Sequence, residues 1–211
     1  HDSVVQRLLE AKAAVDAKGN GQTPLHLAAV KGHDSVVQRL LEAKAAVDAK
    51  GNGQTPLHLA AVKGHDSVVQ RLLEAKAAVD AKVRAGQTPL HVAARKGRDS
   101  VVQRLLEAKA AVDEKSNGGN TPLLYAACFA HDSVAERLLE AKAAVDVQDK
   151  DSRTPLNMAA EFGHDSVVQR LLEAKAAVDV QDKNSNTPLH VAARKGHDSV
   201  AERLLEAKAA V

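Results

Sequence analysis

Residues 21–32 read GQTPLHLAAVKG, and residues 53–64 read the same letters again. The copying is longer than this stretch, because residues 1–32 and 33–64 are identical at every position. The tripeptide TPL recurs at a spacing of 32 and then 33 residues, starting at Thr23, Thr55, Thr88, Thr121, Thr154 and Thr187. Such self-similarity predicts a repeat protein whose units pack on their neighbours.

The TPL segment has the features of a short helix. Thr23 is a good N-cap residue, since its hydroxyl accepts hydrogen bonds from the free N–H groups of the first turn. Pro24 suits the first helical position, where an N–H has no partner within the helix. Leu25 and Ala28 lie on one apolar stripe with small side chains, and Gly32 tolerates the positive φ that ends a helix.

The segment DSVVQRLLEAKAAVD, or its variant DSVAERLLEAKAAVD, follows in each unit and predicts a second helix. Ser35 and Gln38 fit a capping box, and Val and Leu recur at helical spacing. A polar stretch such as DAKGNGQ comes next and predicts a turn or finger. The first two fingers are one residue shorter than the others, so we expect a tighter hairpin there, which Gly19 and Gly21 would permit.

At TPLHLA, TPLHVA and the degenerate TPLLYA and TPLNMA, the chain resembles the ankyrin-repeat family, whose signature is T-P-L-H-x-A at a period of about 33 residues. The resemblance covers essentially the whole chain. It implies an all-α solenoid of stacked helix-turn-helix units with β-hairpin-like fingers, whose concave face of fingers and first helices binds proteins. The predicted boundaries are a partial unit at 1–18, repeats at 19–50, 51–82, 83–115, 116–148 and 149–181, and a truncated repeat at 182–211.

One position departs from the family pattern, which has Gly after the second helix. Every copy here has Lys instead, at Lys12, Lys44, Lys76, Lys109, Lys142, Lys175 and Lys208. If the backbone stays left-handed at this position, each Lys costs about 1 kcal/mol relative to Gly. Either the helix ends differently in this chain, or other interactions absorb the strain.

Composition argues against several classes of function. The net charge is +2, and one Tyr, two Phe and no Trp leave little to stack on bases, so nucleic-acid binding is disfavoured. The longest apolar run, LLYAACFA at 123–130, is too short to cross a membrane. Cys128 is the only cysteine, so no internal disulfide can form. With no signal peptide in the sequence, we expect an intracellular, cytoplasmic protein.

The chain begins and ends inside the repeat pattern, without an initiator Met, so we expect a fragment of a longer chain. The terminal copies HDSVVQRLL and HDSVAERLL keep the internal sequence and lack a distinctive polar cap. We therefore predict fraying of the terminal helices or end-to-end self-association.

No group of residues predicts catalysis, a cofactor or a metal. HDS occurs six times, but adjacent side chains at a helix start point in different directions, whereas a catalytic triad needs converging groups. The ten histidines lie in two repeat positions, after TPL and before DS, without zinc-finger spacing to a cysteine. The resemblance implies a structural role for the first position. Leu124 and Asn157 replace His there, so we expect its hydrogen bonds to be interrupted.

Recognition is expected where the copies differ, in the fingers and in the two residues after TPLxxAA. Phe129 and Phe162 stand at a position where four other copies have Lys, so we expect the phenyl rings to be contact residues of a partner. Basic pairs occupy the same position in the copies on either side, as in the charged rim of an interface. Tyr125 replaces Leu, Val or Met and should be partly packed, and Cys128 should be a small apolar filler. The predicted protein-binding residues are Tyr125, Cys128, Phe129, Glu161, Phe162, Arg95, Lys96, Arg194, Lys195 and the finger residues Arg84, Asn117, Lys150, Asp151, Arg153 and Asn184.

These observations predict a non-enzymatic protein-interaction module with a protein partner. Two identical leading copies also fit a consensus or designed binder. One alternative is a structural spacer or a repeat-stacking scaffold without a partner. Another is a regulatory array of a larger enzyme or channel.

Overall fold

The structure of the protein, a computed structural model, describes residues 14–207. They form twelve helices: α1 (Pro24–Lys31), α2 (Asp34–Glu42), α3 (Pro56–Lys63), α4 (Asp66–Glu74), α5 (Pro89–Arg95), α6 (Asp99–Glu107), α7 (Pro122–Cys128), α8 (Asp132–Glu140), α9 (Pro155–Phe162), α10 (Asp165–Glu173), α11 (Pro188–Lys195) and α12 (Asp198–Glu206). This range contains no sheet and no helix able to span a membrane. The predicted all-α class of paired helices is confirmed. The predicted fraying at the start of the chain concerns residues 1–13, which, like residues 208–211, lie outside the described residues. The last terminal copy is described and forms α12, and its fraying in solution stays a prediction.

The described chain divides into two compact units. Unit 1 comprises residues 14–93 and 100–110, and unit 2 comprises residues 94–99 and 111–207. In unit 1, α1 packs against α3; in unit 2, α7 packs against α9, and α9 packs against α11. Each helix type contributes fully buried leucines, such as Leu156 of α9 and Leu171 of α10, and most first helices bury a pair of alanines, such as Ala159 and Ala160. Small side chains at these contacts let the helix axes approach closely.

The first helices begin and end as their sequence predicts. Thr154 caps α9, because its Oγ1 accepts a hydrogen bond from the backbone N–H of Asn157 at 3.2 Å. Pro155 occupies the first helical position. Gly163 ends the helix with φ 71° and donates its N–H to the carbonyl of Ala159. In α7 the corresponding residue is Ala130, which adopts φ 57° despite its Cβ.

The histidine after TPL forms a buried network between neighbouring helix pairs. His58 is fully buried, its Nδ1 lies 2.8 Å from Thr55 Oγ1, and its Nε2 lies 3.2 Å from the carbonyl oxygen of Gln87. A carbonyl can only accept, so Nε2 carries the proton and Nδ1 accepts from the threonine. Burial lowers the pKa of His58 to about 4, although the bond to Gln87 opposes this shift. The imidazole is therefore neutral at pH 7.

The predicted interruption of this network at Asn157 is wrong. Asn157 Oδ1 accepts from the N–H and the hydroxyl of Thr154, at 2.9 and 2.7 Å, and its Nδ2 donates to the carbonyl of Val180 at 3.3 Å. The amide group of Asn157 thus accepts and donates hydrogen bonds as the two ring nitrogens of a neutral histidine do in the other copies. Leu124 is buried and has no polar side-chain atom. Of the two copies that lack the histidine, the network is therefore interrupted only in the one with Leu124.

The predicted capping box of the second helix is also wrong. Gln70 donates to Glu74 at 2.8 Å instead of reaching back to the helix start, and His65 is the N-cap residue of α4 without a side-chain bond. Ser67 instead hydrogen-bonds to Asp34, at the start of the preceding second helix. Arg71 binds the same carboxylate at 2.7 Å and contributes most to lowering the pKa of Asp34. The recurrent D-S-x-x-x-R spacing of the copies therefore builds contacts between them.

This arginine–aspartate pair recurs along both units, as Arg71–Asp34, Arg104–Asp66, Arg137–Asp99, Arg170–Asp132 and Arg203–Asp165, with N···O distances of 2.6–2.7 Å. The side chains are about one-third exposed. Solvent therefore screens each pair, and its contribution to the free energy of unfolding is small. Their main effect is to fix the register of neighbouring second helices.

The second helices end at a left-handed Lys. Lys44, Lys76, Lys109, Lys142 and Lys175 all have φ of 63–64°. In α8, Ala143 N–H donates to the carbonyl of Leu138 and Lys142 N–H donates to that of Leu139, which is the Schellman arrangement. The helix thus ends as it would with Gly, and the strain expected from Lys is present.

The fingers follow two turn designs. In the shorter fingers an antiparallel bridge joins Gly19 to Gln22, and Asn20 and Gly21 have φ of 51° and 78°. Positive φ at both central residues is the pattern of a type I′ turn, so Asn20 and Gly21, not Gly19, carry the tight hairpin. In unit 2 the longer fingers pair by backbone bonds, for example from Lys183 N–H to the carbonyl of Asp151 at 3.0 Å.

Candidate protein-binding surface

Two phenyl rings lie exposed at the ends of neighbouring first helices in unit 2. Phe129 is the C-cap residue of α7 and is 46% exposed, and Phe162 is the last residue of α9 and is 48% exposed. Because α7 and α9 pack against each other, the two rings occupy equivalent positions on adjacent helices. The sequence places both in the same repeat position, 33 residues apart.

Each phenyl ring stacks on a histidine two residues further along the chain. The ring centroids are 6.4 Å apart for Phe129 and His131 and 5.9 Å apart for Phe162 and His164, with interplanar angles of 25° and 20°. The histidines themselves are held in place. His131 Nε2 donates to the carbonyl of Arg95, and His164 Nε2 donates to that of Cys128, both at 3.1 Å. Each phenyl ring therefore stacks on a histidine ring that is held by a hydrogen bond, and we call this histidine ring the platform.

A glycine makes room for this platform. A Cβ on Gly97 would lie 2.6 Å from Nδ1 of His131, and Gly97 also has φ 63°. Both the close approach and the left-handed backbone favour glycine at this site. Arg95, two residues earlier, places its guanidinium carbon 6.0 Å from the centroid of the Phe129 ring, within reach of a cation–π contact.

Arg153 occupies the middle of this surface and is held by a buried carboxylate. Its Nε and one terminal nitrogen donate to Asp149 Oδ2 at 2.9 and 2.8 Å. Asp149 Oδ1 accepts the backbone N–H groups of Asp151 and Arg153, at 2.8 and 2.9 Å. Another guanidinium nitrogen lies 4.0 Å from Glu161. Burial alone would lower the pKa of Arg153, but Asp149 and its acidic neighbours raise it, so the charge is fixed.

A cleft of about 260 Å³ opens beside Arg153, and its lining is mainly polar: Asp151, Arg153, Asn157, Glu161, Asp182, Lys183, Asn184, Val191 and Arg194. Asp182 repeats the finger design of Asp149, since its Oδ1 accepts from the N–H groups of Asn184 and Asn186 at 2.8 and 2.9 Å. The cleft therefore joins two fingers to the first helices α9 and α11.

The structure brings most predicted site residues of unit 2 to this face but not all of them. Tyr125 and Cys128 are half-buried, as expected for partly packed side chains. Asn117 and Lys150 are exposed in fingers and do not line the cleft. Arg84 belongs to unit 1, where it lines a different cleft with Asn52 and Gln54.

The sequence did not point to Asp149, Asp182, Lys183 or Val191. The signal for the two aspartates was an Asp followed four residues later by Arg or Asn in the fingers DKDSR and DKNSN. An Asp in that position can accept the amides of the following turn and the side chain beyond it.

Catalytic or metal chemistry finds little support in the geometry. In the HDS at 65–67, His65 bonds to the carbonyl of Val30, Asp66 pairs with Arg104, and Ser67 bonds to Asp34, so the three side chains diverge. Burial raises the pKa of the Cys128 thiol, which Arg153 and Arg95 counteract only in part. Among residues 14–207, no group of three or more His, Cys, Asp or Glu could hold a metal ion.

Paired helices with an exposed, preorganised face define a repeat protein with a candidate recognition surface. A family model described as ankyrin repeats, in three copies, matches residues 1–83, 76–149 and 130–211. The chain therefore belongs to the ankyrin-repeat family. Ankyrin repeats are generally protein–protein interaction modules and are typically not enzymes. A comparison with curated proteins finds no significant match.

Proposed function

We propose that this chain is a protein-interaction module without enzymatic activity, and that unit 2 carries its recognition surface. We call this the aromatic surface and define it by Phe129, Phe162, Arg95, Arg153, Glu161 and Arg194. With the repeat boundaries proposed from the sequence, residues of repeats 3 to 6 contribute to it. The observation that carries the proposal is the exposure of two phenyl rings, 46% and 48%, at positions where four other copies have Lys.

Exposure of these rings is unfavourable for the free protein and favourable for binding. The lysine of other copies keeps the position in water, whereas a phenyl ring gains by being covered. Because His131 and His164 support the rings, little side-chain entropy remains to be lost on binding. Aromatic side chains in a polar rim are the usual anchors of protein interfaces.

The test replaces both rings by the residue that the chain itself uses elsewhere. The Phe129→Lys/Phe162→Lys variant should keep the thermal stability of the parent and lose captured proteins in a quantitative affinity purification. The matched control is Lys31→Ala/Lys63→Ala, which alters the same repeat position in unit 1 and should keep those proteins. Equal capture by the parent and the Phe variant would contradict the proposed surface.

The other predicted contacts remain part of the proposal: Tyr125, Cys128, Lys96, Lys195, Asn117, Lys150, Asp151, Asn184 and Arg84. The cytoplasmic location and the self-association of the ends also stay predictions. If neither the parent nor the control captures any protein above background, the alternative of a spacer or stacking scaffold becomes the better interpretation.

A further inference from the structure

The aromatic surface has a basic pair at each edge. Arg95 is the last residue of α5 and Lys96 follows it, whereas Arg194-Lys195 ends α11, and all four side chains are exposed. No carboxylate oxygen of residues 14–207 lies within 4.0 Å of their nitrogens. These pairs occupy the same repeat position as Cys128-Phe129 and Glu161-Phe162. The order across unit 2 is therefore basic, aromatic, aromatic, basic.

In the middle of the surface, by contrast, the positively charged side chains lie next to carboxylates. Arg153 is bound to the buried Asp149 and lies 3.6 Å from Asp151 and 4.0 Å from Glu161. Lys183 lies 3.6 Å from the other oxygen of Asp151. Arg153 and Lys183 in the middle of the surface therefore have carboxylates within 4.0 Å, whereas the two basic pairs at the edges have none among the described residues, although Arg194 lines the cleft together with Asp182.

Resting on the function proposed above, we propose that the partner is an acidic segment of a protein chain, with apolar side chains between two acidic ends. The apolar side chains cover the phenyl rings of Phe129 and Phe162, and the carboxylates meet the basic pair at each edge. Opposite charge at the rim raises the association rate and selects against basic partners. The guanidinium of Arg95, already over the Phe129 ring, presents its nitrogens to a carboxylate at one edge.

The dimensions indicate a short extended segment. Phe129, Phe162 and Arg194-Lys195 lie at the ends of α7, α9 and α11, which pack in succession, and packed helices are spaced by roughly 8–10 Å. With Arg95 6.0 Å from the Phe129 ring, the two edges are roughly 25 Å apart. An extended chain advances about 3.3 Å per residue. About eight to ten residues therefore span the surface. Because side chains of an extended chain alternate between its two faces, the two apolar side chains that cover the rings are about two or four residues apart.

The experiment selects peptides of about ten residues from a random library displayed on phage, against the immobilised chain. The parallel targets are the Phe129→Lys/Phe162→Lys variant, a charge-reversal variant and a control. The charge reversal is Arg194→Glu/Lys195→Glu, at the edge that does not touch a phenyl ring. The control, Lys31→Glu/Lys63→Glu, reverses two charges at the same repeat position in unit 1. Thermal melts verify that each target is folded.

We expect enriched peptides with Asp or Glu at both ends and apolar residues between them. Their affinity should fall at least about tenfold on the charge-reversal variant and on the Phe variant, and be unchanged on the control. Peptides without acidic ends, lost on the Phe variant alone, would overturn the acidic partner and leave the proposed surface standing. Enrichment that survives the Phe variant would overturn the proposed surface.

Two further results would also overturn the inference. Failure of the parent chain to enrich any peptide would exclude an extended acidic segment as the occupant. Binding of a poly-thymidylate oligonucleotide of about ten nucleotides, lost on charge reversal, would assign the basic pairs to nucleic acid.

Discussion

Replacing Lys142 by Gly should stabilise the protein, because the backbone at this residue has φ 63°. A left-handed backbone costs a residue with a Cβ about 1 kcal/mol relative to Gly, and Lys142 is exposed, so no packing is lost. The loss of a positive charge near the helix C-terminus opposes this by a few tenths of a kcal/mol. The expected net gain is about 0.5–1 kcal/mol.

The measurement is the free energy of unfolding by urea, followed by circular dichroism. The control is Lys142→Ala, which removes the same charge and side chain but keeps the Cβ and hence the strain. We expect this control to be neutral or destabilising by a few tenths of a kcal/mol. The difference between the Gly and Ala variants isolates the backbone term, because both have lost the ammonium group.

The equivalent lysines allow a second check. Lys109 in unit 1 and Lys175 in unit 2 have the same φ of 63°, so Lys→Gly there should give gains similar to that at Lys142. A Gly variant no more stable than the Ala variant at all three positions would refute the strain argument. It would mean that the greater freedom of Gly in the unfolded chain cancels the gain.

Three further predictions concern single residues. The folded pKa of His58 is about 4, below its unfolded value of 6.5, so the unfolded chain binds the proton first. About 3 kcal/mol of stability, fully present above pH 6.5, should therefore be lost as the pH falls from 6.5 to 4. His58→Asn, which introduces the residue that Asn157 provides in its own copy, should flatten that decline in urea titrations at several pH values, and an unchanged slope would contradict the assignment. Ala130→Gly should stabilise by about 1 kcal/mol, since Ala130 has φ 57°, and a lower melting temperature would argue against it. Asp149→Ala should destabilise by about 2–3 kcal/mol in urea unfolding, because it leaves two finger amides and Arg153 without their acceptor, and a loss below about 1 kcal/mol would show that solvent replaces it.

The fold could be predicted from the sequence because its signals are local and repeated. The Thr-Pro start and the glycine end of the first helices depend on a few adjacent residues, and each occurs in several copies. The role of Ser67 could not be predicted in the same way. It fits a helix cap by its local sequence, but its partner Asp34 belongs to the preceding copy. A pattern within one unit does not distinguish a bond inside that unit from a bond between units.

The candidate site, too, has features that the sequence predicts and features that it does not. The exposure of Phe129 and Phe162 agrees with the Lys of other copies, because that repeat position faces solvent whatever residue it holds. The fixed charge of Arg153 depends on Asp149, a finger residue whose burial arises only when the turn closes. The exposure of a side chain could therefore be predicted from its repeat position, whereas contacts that depend on the folded finger could not be predicted from the sequence.

The platform beneath the phenyl rings suggests how such a surface arises without loss of the fold. His131 and His164 donate to a carbonyl of the preceding first helix, and His65 does the same in unit 1, where Val62-Lys63 fills the variable position. The histidine bond is thus formed with or without a phenyl ring above it. An exchange of Lys for Phe adds a stacked apolar contact at an exposed position and removes no bond between the copies. Recognition at this position can therefore change from copy to copy while the contacts that hold the repeats together stay the same.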